Sequence, residues 1–200
     1  MKVVSAIFHP LLIATHVASL FLLTVPALFA GLPASAKQQL LLLVFLLTGA
    51  MPALSIFMMK TFKLISDLEL SNRRERTIPF AFILFYYILA CYLFAVQLEL
   101  NYLFNLVMIS VTVLIFVLLL ISTRFKISIH AAAIWSAVGY LTGMIFRLDL
   151  GVQNIYYLIV ALAGLTVTSR LYLDYHTPKE VWTGSILGFL YSLSIVLIMT

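Results

Sequence analysis

The sequence predicts an all-α fold: an integral membrane bundle of six to seven transmembrane helices. Three observations carry this. Of 200 residues, 64% are hydrophobic and only 10% are charged. Mean hydropathy is +1.16. Several apolar runs reach the roughly 20 residues that a helix needs to cross a hydrocarbon core of about 30 Å. Soluble domains are about 45–50% apolar, so a soluble class is excluded. The length leaves room for one transmembrane domain over residues 1–200 and none outside the membrane.

The runs fall at about 7–29, 39–59, 79–98, 102–121, 128–146, 153–173 and 181–199. The first follows Lys2 and is interrupted by His9 and His16, with no small-residue cleavage site, so it is expected to be a retained helix and not a signal peptide. Seven residues apart, these histidines are expected to share one helix face, His9 at the interface and His16 toward the bundle. Gly31, Pro33 and Lys37 divide the first two runs; Glu99 with Asn101, and Arg147 with Asp149 and Gly151, mark tight hairpins. Cys91, the single cysteine, lies in an apolar run, which excludes a disulfide framework and a cysteine metal site. The net charge of +5 is scattered, so no nucleic-acid partner is expected. Basic residues beside membrane helices set topology or meet anionic lipid.

Threading seven spans sorts the connections onto two sides. One receives the N-terminus and the loops 60–78, 122–127 and 174–180. It gathers ten of the twelve Lys and Arg residues, leaving Lys37 and Arg147 opposite. His9, His130 and His176 fall at or near the same side. Ionisable groups at a membrane's edge are costly and by default mark a functional site. The ten-to-two bias places this face in the cytoplasm.

Three segments of that face carry chemistry. In SRLYLDYHTPKEVWTG, Ser169 and Arg170 close the sixth run, and Thr177, Pro178 and Glu180 read as N-cap, N1 and N3 of the next helix. His176 then precedes a helix N-terminus, where N–H groups and the dipole attract an anion. Glu180, four residues on, either caps the helix alone or also holds the imidazole. In KISIHAAA, Ser128 is expected to cap the fifth run and place His130 in its first turn. In LSNRRERTIPF, Arg73, Arg74 and Arg76 form either a topogenic loop or a phosphate clamp in which Glu75 holds a neighbour.

Ser169-Arg170, five residues, His176, three residues and Glu180 resemble the third motif, SR-x5-H-x3-D, of the type 2 phosphatidic acid phosphatase superfamily, which includes the vanadium haloperoxidases. Tyr172, Pro178, Val181 and Gly184 suit the same pattern. Ser128 and His130 resemble its second motif, PSGH, with Ile127 and Ile129 in the places of Pro and Gly. The first motif, K-x6-R-P, has RRERTIP in its place, without the lysine. The resemblance covers about residues 70–190. It implies His176 as nucleophile, Glu180 as its orienting partner, and His130 as general acid. It also implies Arg170, Ser128, Ser169, Arg73, Arg74 and Arg76 as phosphate-binding groups, and no metal or cofactor.

The expected function is therefore a lipid-phosphate phosphatase in a bacterial inner membrane, acting through a phosphohistidine. Its partners would be a lipid phosphate and the surrounding membrane lipids; the sequence leaves the oligomeric state open. Two alternatives are a phosphotransferase passing the phosphate to a lipid alcohol, and a non-catalytic lipid-binding protein that keeps the fold.

Overall fold

The computed structural model describes residues 1–68, 70, 72–148 and 152–198. Every regular element among them is helical. Six helices are long and apolar enough to cross a bilayer: Ala34–Thr61, Arg74–Gln97, Tyr102–Ser122, Ile129–Arg147, Gln153–Tyr172 and Pro178–Ile198. The chain is thus an all-α membrane protein.

The first expected span is not one helix. It divides into α1 (Lys2–Ile7) and α2 (Pro10–Thr24). Pro10 lacks an N–H and pushes the residue before it out of the helical region. His9 instead caps the new helix, its Nδ1 accepting from the Leu11 N–H at 3.3 Å. Pro26 follows the end of α2 and opens a short 3₁₀ turn, Pro26–Phe29. His9 and His16 therefore share no continuous helix, and His16 is exposed instead of facing the bundle.

The chain forms two compact units. One comprises 14–125. In it, α3 (Ala34–Phe45) and α4 (Met51–Thr61) run as one span through a π-helical turn, Leu46–Ala50. Lys37 lies inside α3, so this span begins earlier than the charge suggested. α5 (Thr77–Tyr92) grows from the 3₁₀ turn Arg73–Arg76 and ends in a second π-helical turn, Leu93–Gln97. Asn101 caps α6 (Tyr102–Ser122), its Oδ1 accepting from Leu103 N–H at 2.9 Å. Polar pairs tie these helices across the seam: Ser55 with Tyr86 at 3.0 Å, and Cys91 with Thr112 at 3.2 Å.

The other unit joins 1–13 to 126–200 and holds α7 (Ile129–Leu148), α8 (Gln153–Tyr172) and α9 (Pro178–Ile198). Lipid offers no hydrophobic drive between helices, so close approach of backbones and interhelical polar contacts must hold them. α7 and α9 meet this demand with two glycine pairs. On α9, a Cβ at Gly184 would stand 2.5 Å from the Ser128 carbonyl, and one at Gly188 would collide with the Ala132 carbonyl. On α7, a Cβ at Gly139 would stand 2.5 Å from the Phe189 carbonyl, and one at Gly143 2.6 Å from Val196 Cβ. The contacts climb in the same order along both helices, so the pair runs parallel and both N-termini lie at one end. Outward, α9 shows Trp182, Ile186, Leu190 and Leu197, while Gly184, Ser185, Gly188 and Ser192 are buried. That apolar-out, small-and-polar-in pattern is the one expected of a helix facing lipid.

Candidate functional site

The end of α8 turns back on itself. Asp174 takes a left-handed conformation, φ 53. Its N–H returns to the Leu171 carbonyl at 3.1 Å, and that of Tyr175 to the Arg170 carbonyl at 3.2 Å. This paired closure satisfies carbonyls that a helix C-terminus otherwise leaves open. It also lays the Tyr175 ring under Arg170, whose Cζ stands 4.5 Å from the ring centroid, within cation–π range.

Two residues later α9 starts. Thr177 Oγ1 accepts from Glu180 N–H at 3.4 Å, and Glu180 Oε2 accepts from Thr177 N–H at 3.3 Å, a reciprocal capping box. The same Oε2 lies 2.7 Å from His176 Nδ1. Glu180 is thus both cap and imidazole partner, where the sequence posed these as rivals. The two side chains are only 5% and 13% exposed, so water screens the contact little. A carboxylate only accepts, so Nδ1 carries the hydrogen, and in the neutral ring Nε2 carries the lone pair.

The α7 N-terminus is fastened to this turn through the main chain. Ser128 N–H donates to the Glu180 carbonyl at 3.2 Å. The Ser128 hydroxyl oxygen accepts from Ala131 N–H at 3.4 Å, so Ser128 is the N-cap of α7 and is fully buried. Ile129 begins the helix, so this backbone needs no glycine-only angle, and His130 occupies the first turn. His130 is 6% exposed, and its Nε2 is buried with no hydrogen-bond partner. Arg170, His9 and His176 all lie within electrostatic reach of the ring.

Arg170 and Ser169 are buried in the last turn of α8. Arg170 Nη1 donates to Ser5 Oγ at 2.7 Å, and Ser169 Oγ donates to the Thr166 carbonyl at 2.7 Å. One end of this unit therefore collects His130, Arg170, His176 and Glu180, with Ser128 and Ser169 at its helix ends. Chemically it offers a nucleophilic nitrogen, a second imidazole, a guanidinium and two helix N-termini in a largely buried setting.

The arginine-rich segment belongs to the other unit. Arg74 is exposed; Arg76 is 3% exposed and its Nε donates to the Leu70 carbonyl at 2.8 Å. The Arg73 side chain lies outside the described residues. Among the described residues, the hydrogen bonds of Glu75 are local. Its Oε2 accepts from Ser66 N–H at 2.5 Å and its Oε1 from Asn72 Nδ2 at 2.9 Å, so it closes the loop on itself.

Two site residues, Ser5 and Tyr175, escaped the sequence reading, and His9 was expected only as an interfacial residue on this side. The His9 ring stands edge-on to the His130 ring, centroids 5.1 Å apart at 84°. The His9-Pro10 dipeptide was the available signal, because proline at N1 marks the residue before it as a cap. Compared with protein-family models, curated proteins and solved structures, the chain matches none.

Proposed function

We propose that this protein is a membrane-embedded lipid-phosphate phosphatase working through a phosphohistidine. The observation that carries the reading is the 2.7 Å contact of His176 Nδ1 with Glu180 Oε2 at the head of α9, with the α7 head bearing His130 fastened to the same turn. His176 Nε2 attacks the terminal phosphorus, its P–O bond to the rest of the lipid breaks, and the leaving group, an alkoxide from a monoester or a lipid monophosphate from a diphosphate, takes a proton from His130. Water, deprotonated by His130, then attacks the phosphohistidine; inorganic phosphate leaves and His176 is restored. Glu180 stabilises the positive charge that His176 develops. Arg170 and the two helix N-termini hold the phosphoryl oxygens and the charge gathering on them. Because Ser128 Oγ accepts from Ala131, its O–H is the donor it offers to phosphate.

An amphiphilic substrate suits a buried cluster at the ends of transmembrane helices. Phosphatidic acid, phosphatidylglycerol phosphate and polyprenyl diphosphates are the substrates proposed, in a bacterial inner membrane with this face cytoplasmic, as the basic residues indicate. The test is phosphate release from that panel, wild type beside His176→Ala. Release that vanishes in the variant supports the reading. Transfer to an added lipid alcohol without release makes the enzyme a transferase, and silence across the panel contradicts catalysis.

A further inference from the structure

The N-terminal segment reaches the site from outside the region that carries the family resemblance. Ser5 is 6% exposed, and its hydroxyl accepts from Arg170 Nη1 at 2.7 Å. The Tyr175 ring centroid lies 4.5 Å from Cζ of the same guanidinium. Held at Nη1 by one contact and over the ring by the other, the guanidinium is restricted in which N–H edge a ligand meets. His9 does the corresponding work for His130. Its Nδ1 accepts from Leu11 N–H, which fixes the neutral tautomer bearing hydrogen on Nε2. Its ring packs edge-on against the His130 ring, whose own Nε2 has no hydrogen-bond partner to orient it. The Ser5 backbone bears on that ring as well.

We propose that the N-terminal segment supplies two positioning residues to the site, Ser5 for the Arg170 guanidinium and His9 for the His130 ring; the roles rest on the lipid-phosphate reading. Ser5 acts on phosphate binding, because Arg170 holds oxygens. His9 acts on the chemical step, because His130 transfers the proton. The two variants should therefore fail in different constants.

The test uses the full chain in detergent or liposomes. Ser5→Ala should raise KM about tenfold with kcat within about threefold of wild type, the loss expected when a hydrogen bond to a charged group is removed. Ser5→Thr restores the hydroxyl and should restore KM. His9→Asn keeps a good N-cap for Leu11 and removes the ring; it should lower kcat about tenfold and leave KM unchanged. Wild-type constants in both variants overturn the proposal, as does a loss in Ser5→Ala that Ser5→Thr does not rescue. Imidazole ¹⁵N spectra give a readout independent of turnover: His9→Asn should move the His130 signals and leave those of His176 in place. Unmoved His130 signals overturn the His9 role. If wild type neither releases phosphate nor binds orthovanadate, the lipid-phosphate reading fails, and the spectra still decide whether His9 orients His130.

Discussion

Two segments of the molecule are made of the same parts and assembled to different ends. Leu70 to Phe80 and Ser169 to Gly184 each bring arginine, a polar N-cap and a glutamate at N3 to the start of a helix. In the first, Asn72 caps and Glu75 reaches back to Asn72 and the Ser66 N–H, while Arg76 donates to the Leu70 carbonyl. Those are main-chain and local contacts that close a loop. In the second, Glu180 completes the cap with Thr177 and with the same oxygen holds His176, while Arg170 meets Ser5, a residue 165 positions away. The difference is the presence of a histidine one residue before the cap. A capping box shapes a helix start; a capping box with an imidazole in reach of its carboxylate also sets a tautomer.

The largest expected effect separates the two glutamates. Glu180→Gln keeps a side-chain oxygen for the cap and removes the charge that favours imidazolium, so turnover should fall on the order of 10²-fold or more with folding little changed. Glu75→Gln keeps one of the loop's two acceptors and touches no imidazole, so turnover should stay within about twofold of wild type. Equal losses in the two variants would erase the distinction. Glu180→Asp should remain partly active, because it keeps the charge and shortens the reach by a methylene.

Next in size is the packing that holds α7 against α9. Gly188→Ala drives a methyl into the Ala132 carbonyl. Overpacking of this kind costs about 1–3 kcal/mol, and here it should also shift His130 relative to His176. Gly164→Ala is the control, since its Cβ meets nothing within 4 Å and alanine favours helix by up to about 1 kcal/mol. Thermal unfolding in detergent, read beside turnover, separates the pair: Gly188→Ala lowers both and Gly164→Ala lowers neither.

The smallest effect lies at Asp174, in the left-handed turn that folds Tyr175 onto Arg170. Glycine relieves the steric cost of that conformation but loses more entropy on folding. Asp174→Gly should change stability by less than about 1 kcal/mol and leave turnover unchanged. A large loss of activity would show that the aspartate side chain, and not the turn, matters.

The parts of the site visible in the sequence were those with a local signal. Ser128 and Thr177-Pro178-Glu180 announced the starts of α7 and α9 because capping depends on residues three or four apart. His130 and His176 followed from those starts, and Arg170 from the Ser169-Arg170-x5-His176 spacing. The contacts of Ser5 with Arg170 and of His9 with His130 were hidden because apolar run length does not encode them, and the run through 7–29 reads as one span although Pro10 breaks it. The π-helical turns at 46–50 and 93–97 carry no composition signature, so the second and third spans read as uninterrupted. The parallel docking of α7 on α9 was legible in principle: Gly139-x3-Gly143 and Gly184-x3-Gly188 are small-residue spacings that mark close helix crossings. Neither spacing alone names the helix it packs against, so the sequence leaves the pairing open.

The central claim is that His176 becomes covalently phosphorylated while Glu180 holds its far nitrogen. The direct measurement is a rapid alkaline quench, which preserves phosphohistidine, of the full-length protein mixed with a lipid substrate labelled in its phosphate, followed by mass-spectrometric mapping. The account predicts label on His176, absent in His176→Asn and formed more slowly in His130→Asn, which lacks the proton donor for the leaving alkoxide. Substrate turnover that continues in His176→Asn, or label on a different residue, would contradict it.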